Sequence, residues 1–154
     1  TSPEDYGHYF AWGETSPKDE YIYDNCSTHG KEMSDIAGDA QYDAATANWG
    51  GDWRMPTKAE QEELLNKCSW IWTTQNDVKG YKVTGPNGAS IFLPAAGYPY
   101  ESSLSDAGSI GCYWSSSPDG SNSGKAYALD FNSSSQGMYD DSRFSGHSVR
   151  PVLE

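Results

Sequence analysis

The sequence predicts an α+β domain, two short helices packed on a twisted antiparallel β-sheet, and three observations carry that expectation. Helical spacing and capping signals are confined to residues 42–68. Beyond them the hydrophobic period changes to two, and the extended runs are separated by Gly, Pro, Asn and Ser turns rather than by helix-length crossovers. Helices first and many short strands after is the order of an α+β domain. A chain of 154 residues is most simply one domain, and at that length it buries enough surface to fold without a metal or disulfide staple.

The first 35 residues carry Pro and Gly punctuation and short aromatic runs, which predicts loops with one short strand near "YFAWGE". Tyr42, Ala45 and Trp49 then fall at i, i+3 and i+7 and stop at Gly50 and Gly51, the pattern of a short helix with a glycine C-cap. In "WRMPTKAEQEELLNKC", Thr57 as N-cap and Glu60 three residues on form a capping box. Glu60, Glu62 and Glu63 favour the positive end of that helix and Lys67 its last turn, so these acids need no catalytic explanation. The expected buried stripe is Leu64, Leu65 and Cys68, with Gln61 at the edge. "SWIWTTQ", "GYKVTG" and "ASIFLPA" follow as strands, the last two joined across Gly85, Pro86, Asn87 and Gly88. "GCYWSSS", "AYALDFN", a stretch around "GMYDDSRF" and "HSVRPVL" continue the strand pattern to the end.

Asp and Glu outnumber Lys and Arg by 22 to 10, giving a formal net charge of −12. Nucleic acid and anionic membrane surfaces are poor partners for such a chain. No apolar run approaches the roughly 18 residues of a membrane span, so insertion of this domain into a bilayer is not expected. Eleven Tyr and six Trp against four Phe make an aromatic surplus with polar handles, suited to wet binding surfaces as well as to cores. Trp49, Trp53, Trp70, Trp72 and Trp114 lie in stretches with strand or helix period, which assigns most of them to the core. Arg54 and Arg150 sit in apolar surroundings, "WRMP" and "VRPV", and each needs a carboxylate or carbonyl partner.

Searches for catalytic signatures fail. GxSxG is absent, "GSNSG" having Asn122 where the serine should be; HExxH and glycine-rich phosphate loops are missing; and His8, His29 and His147 have no neighbouring pattern that would make one a general base. "DGSNSGKAYALD" places Asp119, Ser121, Ser123, Gly124 and Asp130 at positions 1, 3, 5, 6 and 12 of a calcium loop. Two carboxylates, Asp at position 12 and strand-like flanks argue against it. Cys26, Cys68 and Cys112 form no CxxC, and an odd count allows at most one bridge. No metal or other cofactor is expected, and at least one buried thiol is.

"NWGGDWRMPTKAEQEELL", "GYKVTGPNGASIFLPAAGY", "YWSSS" and "SVRPV", with the opening "SPEDYGHYFAWGET", together resemble the Fibrobacter succinogenes major paralogous domain. The motifs span nearly the whole chain in the expected order. The resemblance implies a C-type-lectin-like fold, related to the formylglycine-generating type, in exported or surface proteins of gut bacteria. It also implies that residues 1–154 are a single such domain lacking its first strand. A subset of the family serves as variable proteins of diversity-generating retroelements, in which adenine-directed mutagenesis alters the last strands. Mutated Asn codons readily yield Asn, Asp, Ser, Tyr, His and Gly, the types that dominate Asp119 to His147. A formylglycine-generating enzyme would need a second cysteine beside Cys112, so a non-enzymatic reading is preferred.

What remains is the polar face of the final strands. Alternation in "AYALDFN" points Tyr127, Leu129 and Phe131 inward and Ala128, Asp130 and Asn132 outward. The same edge continues into Gln136, Tyr139, Asp140, Asp141, Ser142, Phe144 and His147. Stacking surfaces among hydrogen-bonding neighbours are the mix used by antibody-like paratopes. These ten residues, Ala128 to His147, form the expected ligand-binding set, with a protein or glycan as partner and His147 as a switchable donor. The runner-up is a structural or assembly module of a surface or pilus complex, whose sheet face docks on a neighbouring chain.

Overall fold

In the computed structural model, which describes residues 2–154, strand β1 (Tyr9–Phe10) is followed by a 3-10 turn at Tyr23–Asn25 and by helix α1 (Ala44–Trp49). Asp43 caps α1 and does more than cap it. Its Oδ1 accepts from the amides of Ala45 at 2.8 Å and Thr46 at 3.0 Å, and its Oδ2 accepts from Gly38 and Met55, each at 2.9 Å. One fully buried carboxylate therefore ties together the entry loop, the helix start and the residue that follows β2 (Trp53–Arg54). Gly50, at φ 66°, ends the helix where the sequence predicts.

Helix α2 (Lys58–Lys67) carries its capping box: Thr57 Oγ1 accepts from Glu60 N at 3.2 Å and the Glu60 carboxylate accepts from Thr57 N at 2.8 Å. The same carboxylate receives both terminal nitrogens of Arg54, at 2.9 and 2.7 Å, which supplies the partner Arg54 required. The buried stripe differs from expectation. Gln61 is the buried residue of the helix, while Leu64 and Leu65 are half-buried. Gln61 Nε2 donates to the carbonyls of Tyr113 and Trp114, a tie that an apolar side chain could not make.

The strands that follow are β3 (Ser69–Gln75), β4 (Val78–Thr84), β5 (Ser90–Pro94), β6 (Tyr98–Tyr100), β7 (Ser103–Ser105), β8 (Gly111–Pro118), β9 (Lys125–Phe131), β10 (Gln136–Ser142), β11 (His147–Ser148) and β12 (Val152–Leu153). β3, β4 and β5 make an antiparallel three-stranded sheet, with the β4–β5 turn at Gly85–Gly88 as predicted. A five-stranded sheet runs in the order β1-β11-β8-β9-β10. It is antiparallel except for the β11–β8 pair, which is parallel and makes the sheet mixed rather than uniformly antiparallel. β6 and β7 form a hairpin, and β12 pairs with β2, which brings Val152 and Leu153 back beside Arg54 and Trp53. Helices and sheets together give an α+β domain. Among the described residues, no helix is long and apolar enough to cross a membrane.

Strand β9 is the centre of the molecule because both its faces are covered. Leu129 and Phe131 pack with Tyr81, Val83, Leu93 and Tyr113 beneath the three-stranded sheet. Ala126 and Ala128 face the other way, into a second cluster of Phe10, Trp12, Met55 and Trp114. The alternation is as predicted, but the expectation that Ala128 faces outward is overturned: it is 0% exposed, since its small side chain makes room for the Trp114 ring directly across the strand pair. Tyr127, expected to point inward, is half-buried under the Lys58 ammonium, 4.0 Å above its ring. Trp12 and Trp114 stitch the N-terminal segment to β8 by donating to the carbonyls of Ser115 and Phe10, at 3.0 and 2.7 Å. Trp70 and Trp72 are half-buried against Tyr81 and Phe131. Trp49, by contrast, is largely exposed.

Arg143 follows β10 and is 1% exposed. Its guanidinium donates to three backbone carbonyls, those of Lys125 (3.0 Å), Thr28 (2.9 Å) and Lys31 (2.7 Å), and lies 4.5 Å from the Trp12 ring. Carbonyl dipoles and an aromatic face take the place of a carboxylate there.

Candidate functional site

β10 is an edge strand, and the two cavities beside it are lined by Asp130, Asn132, Asp140, Asp141 and His147 among others. One cavity, of about 450 Å³, lies between the β6–β7 hairpin, the 144–147 segment and the ends of β8, β9 and β10. Tyr98, Tyr100 and Phe144 contribute its walls, and Cys112, Asp130, Asp141 and His147 its polar lining. A second cavity, of about 350 Å³, is lined by Asp130, Asn132, Tyr139, Asp140 and Asp141, so Asp130 and Asp141 belong to both.

Register assembles this group. Cys112 lies directly across from Asp130 in the β8–β9 ladder, and His147 precedes Ser148, which pairs with Tyr113 of β8. His147 packs on Trp114, with ring centroids 4.3 Å apart and the planes tilted by 36°. Its Nδ1 faces the Gly146 carbonyl at 2.9 Å and its Nε2 faces Asp141 Oδ2 at 2.8 Å. Two acceptors for two ring nitrogens call for both to carry protons, so the imidazolium is the favoured form. Burial works against that charge, but the bond to Asp141 and the charges of Asp141 and Asp130 outweigh it and hold His147 above its ordinary value. Burial likewise opposes the Asp141 carboxylate, yet His147 holds it below the usual carboxylate range.

Asp130 has the opposite fate. Burial and then the Asp141 charge push it up to about 7, although His147 pulls the other way. Its Oδ1 is buried with no hydrogen-bond partner. The Cys112 thiol is pushed far up by burial and then by Asp130, so it is protonated and a poor nucleophile. Cys26, Cys68 and Cys112 are all free; Cys26 lies beside Thr28, and Cys68 packs against the apolar cluster under the three-stranded sheet.

The expected binding set divides accordingly. Asp130, Asp141, Phe144 and His147 meet in the larger cavity, and Asp130, Asn132, Tyr139, Asp140 and Asp141 in the smaller. Gln136 is exposed at the start of β10, and Ser142 lies across from Lys125 at the other end, outside both linings. Ala128 belongs to the core. His147, expected as a switchable donor on an open face, is 5% exposed and already committed to Asp141 and Gly146. Phe144 is backed by Tyr23 and His29, with centroids 6.4 and 5.9 Å away. The calcium-loop spacing does not converge on one point. Asp119 Oδ1 is taken by the amide and hydroxyl of Ser121, each at 2.8 Å, while Asp130 sits near the far end of β9 from that turn.

Sequence reasoning missed Cys112, Tyr98 and Tyr100. Alternation in "GYPY" offered a signal for the two tyrosines, which flank Pro99 on one side of a short strand. A separate cavity of about 740 Å³, lined by Tyr6, Trp49, Trp53 and Arg150 among others, contains none of the expected set.

A family model described as a domain of unknown function, DUF8237, matches residues 53–152, from β2 to β12. The chain belongs to that family. No curated protein and no solved structure matches it. The DUF8237 match takes in both cavities' strands and every residue of the expected binding set, while β1 and the 3-10 turn that backs Phe144 lie ahead of it.

Proposed function

We propose that this DUF8237 member is a non-enzymatic binding domain of C-type-lectin-like fold, exported or surface-displayed by a gut bacterium, which recognises a glycan or protein through its C-terminal strands. One observation carries the reading. Tyr98, Tyr100 and Phe144 stand around acidic acceptors in a cavity of about 450 Å³, within the roughly 300–1,000 Å³ typical of small-ligand sites. Aromatic faces with carboxylate acceptors suit a sugar ring, whose C–H face stacks and whose hydroxyls donate. Tyr139 and Asp140, exposed on the adjoining edge, extend the same chemistry outward. The resemblance to the Fibrobacter succinogenes major paralogous domain supports both the fold and the display role, and the Asn, Asp, Ser and Tyr content of residues 132–142 supports a retroelement-diversified surface.

The test is a glycan array probed with the purified domain, repeated with Tyr100→Ala combined with Phe144→Ala and, separately, with Tyr139→Ala. Saccharide binding that is lost in the double variant, with the fold retained by circular dichroism, is the expected result. Binding that survives the double variant, or no saccharide bound at all, overturns the glycan reading. The coding DNA gives an independent check: a near-identical template repeat beside a reverse transcriptase, differing only at adenines, is expected if the strands are diversified.

The runner-up is an assembly module, favoured by the edge of β10, which among the described residues pairs only with β9 and could accept a strand from a neighbour. Concentration-dependent oligomers that Gly137→Pro abolishes would favour it over ligand capture.

A further inference from the structure

We propose that Cys112, Asp130 and His147 form a binding site for a borderline-soft divalent cation, with zinc the best fit, at the polar floor of the larger cavity. The site is independent of which ligand enters above it. One ligand atom from each residue lies within 4.8 Å of the others. Tetrahedral zinc needs donors roughly 3.3–3.8 Å apart, as follows from bond lengths of about 2.0–2.3 Å, so a contraction of about 1 Å closes the set. Sulfur, nitrogen and oxygen in one group select zinc-like ions over calcium and magnesium, which take oxygen alone.

Three further features point to a ligand rather than to chance proximity. The donors come from β8, β9 and β11, adjacent strands of one sheet, so their spacing is fixed by the ladder and not by loops. His147 is oriented as a metal-bound imidazole would be: Nδ1 donates to the Gly146 carbonyl at 2.9 Å, and Nε2, which meets Asp141 in the metal-free protein, becomes the ligand atom on exchanging that bond for the cation. Asp130 Oδ1 is buried without a partner, an oxygen whose desolvation is uncompensated until a cation arrives. Asp141 Oδ2, 2.8 Å from Nε2, is placed to give up its hydrogen bond and complete the sphere. On binding, the cation displaces the Cys112 thiol proton and the Nε2 proton, and any proton on Asp130, into solvent, so affinity rises with pH.

The experiment titrates the chelator-treated domain at pH 7.5 with zinc, by competition against a chromophoric chelator, and with cobalt(II), read by its absorption spectrum. Expected are one equivalent of zinc and a cobalt spectrum with a thiolate-to-metal charge-transfer band and tetrahedral visible bands. Cys112→Ser should remove the band and weaken zinc binding at least 100-fold, Asp130→Asn should weaken it about 10-fold to 100-fold, and Cys26→Ser with Cys68→Ser should change neither. Circular dichroism of Cys112→Ser, which keeps the side-chain volume close, separates loss of the site from loss of the fold. No stoichiometric zinc, or binding and spectrum unchanged in a folded Cys112→Ser, overturns the proposal.

Discussion

Replacing His147 distinguishes a buried strut from a displayed recognition residue. The imidazolium is 5% exposed, packed on Trp114, and bonded at 2.8 Å to a carboxylate whose side chain is 27% exposed. Breaking a buried ion pair by removing one partner costs about 3–5 kcal/mol, and the partial exposure of Asp141 places this pair at the lower end. His147→Ala should therefore cost about 3 kcal/mol, or about 6–12 °C in Tm for a domain of this size. The assay is urea unfolding of the wild type, His147→Ala, Asp141→Asn and the double variant, in chelator, as a double-mutant cycle. A coupling of at least about 1.5 kcal/mol is expected at pH 6. Because the folded imidazole is held above its ordinary value of 6.5, its contribution is fully present below pH 6.5 and is lost as pH rises through the raised value. The coupling should thus shrink at pH 10. A coupling below about 0.5 kcal/mol at pH 6, within the range of independent sites, or one that does not change with pH, would refute the buried-pair account.

Asp130 gives the mirror experiment. Its rise from 3.8 to about 7 makes the wild type lose stability from about pH 4 upward, at up to about 1.4 kcal/mol per unit and at most about 4 kcal/mol in all. In chelator, Asp130→Asn should flatten that fall and leave the variant more stable than the wild type at pH 8, which guanidinium melts at both pH values will check. Asp43→Asn should cost about 3 kcal/mol, because an amide NH₂ replaces one of two oxygens that each accept from one buried and one partly buried backbone amide; a loss under about 1 kcal/mol by urea titration contradicts that role. Gly111→Ala should unfold or severely weaken the domain, since its Cβ would lie 2.2 Å from the Phe131 ring; a Tm within about 2 °C of the wild type means that ring is free to move. Tyr139→Ala, at a position 54% exposed, should shift stability by less than about 0.5 kcal/mol in the same titration.

Features with a local cause were legible in the sequence. The capping box at Thr57 and Glu60, the glycine stop at Gly50, the turn at Gly85–Gly88 and the alternation of β9 each depend on residues a few positions apart, and each stands where the sequence predicts. Features built from distant segments were not. Alternation says that Ala128 and Leu129 face opposite ways, but not that the N-terminal segment covers the alanine face as fully as the three-stranded sheet covers the other. Gln61, expected at the edge of its helix's buried stripe, and His147, expected on an open face, are buried, as is Arg143, because carbonyls of β8, of Gly146 and of the 28–31 loop await them. Cys112, Asp130 and His147 are separated by 18 and 17 positions and meet only through strand register. Asn132, Gln136, Tyr139 and Asp140, the members of the binding set that are exposed as the sequence predicts, lie on the edge strand β10 or in the turn that leads into it, where exposure depends least on what packs above.

Arg143 sets a practical limit on how this surface can be altered. Between Asn132 and Asp140 most side chains are exposed, although Met138 packs against the core, whereas Asp141 holds the buried His147 and Arg143 pins the backbone on leaving β10 to three carbonyls from two other segments. A randomised library over residues 132–140 with Met138 held fixed should yield mostly soluble clones, but extending it by three codons, through Asp141 and Arg143, would make most of them fail. The strand thus tolerates change along most of its length and resists it at one end, and any engineered variation of this edge has to stop short of that anchor.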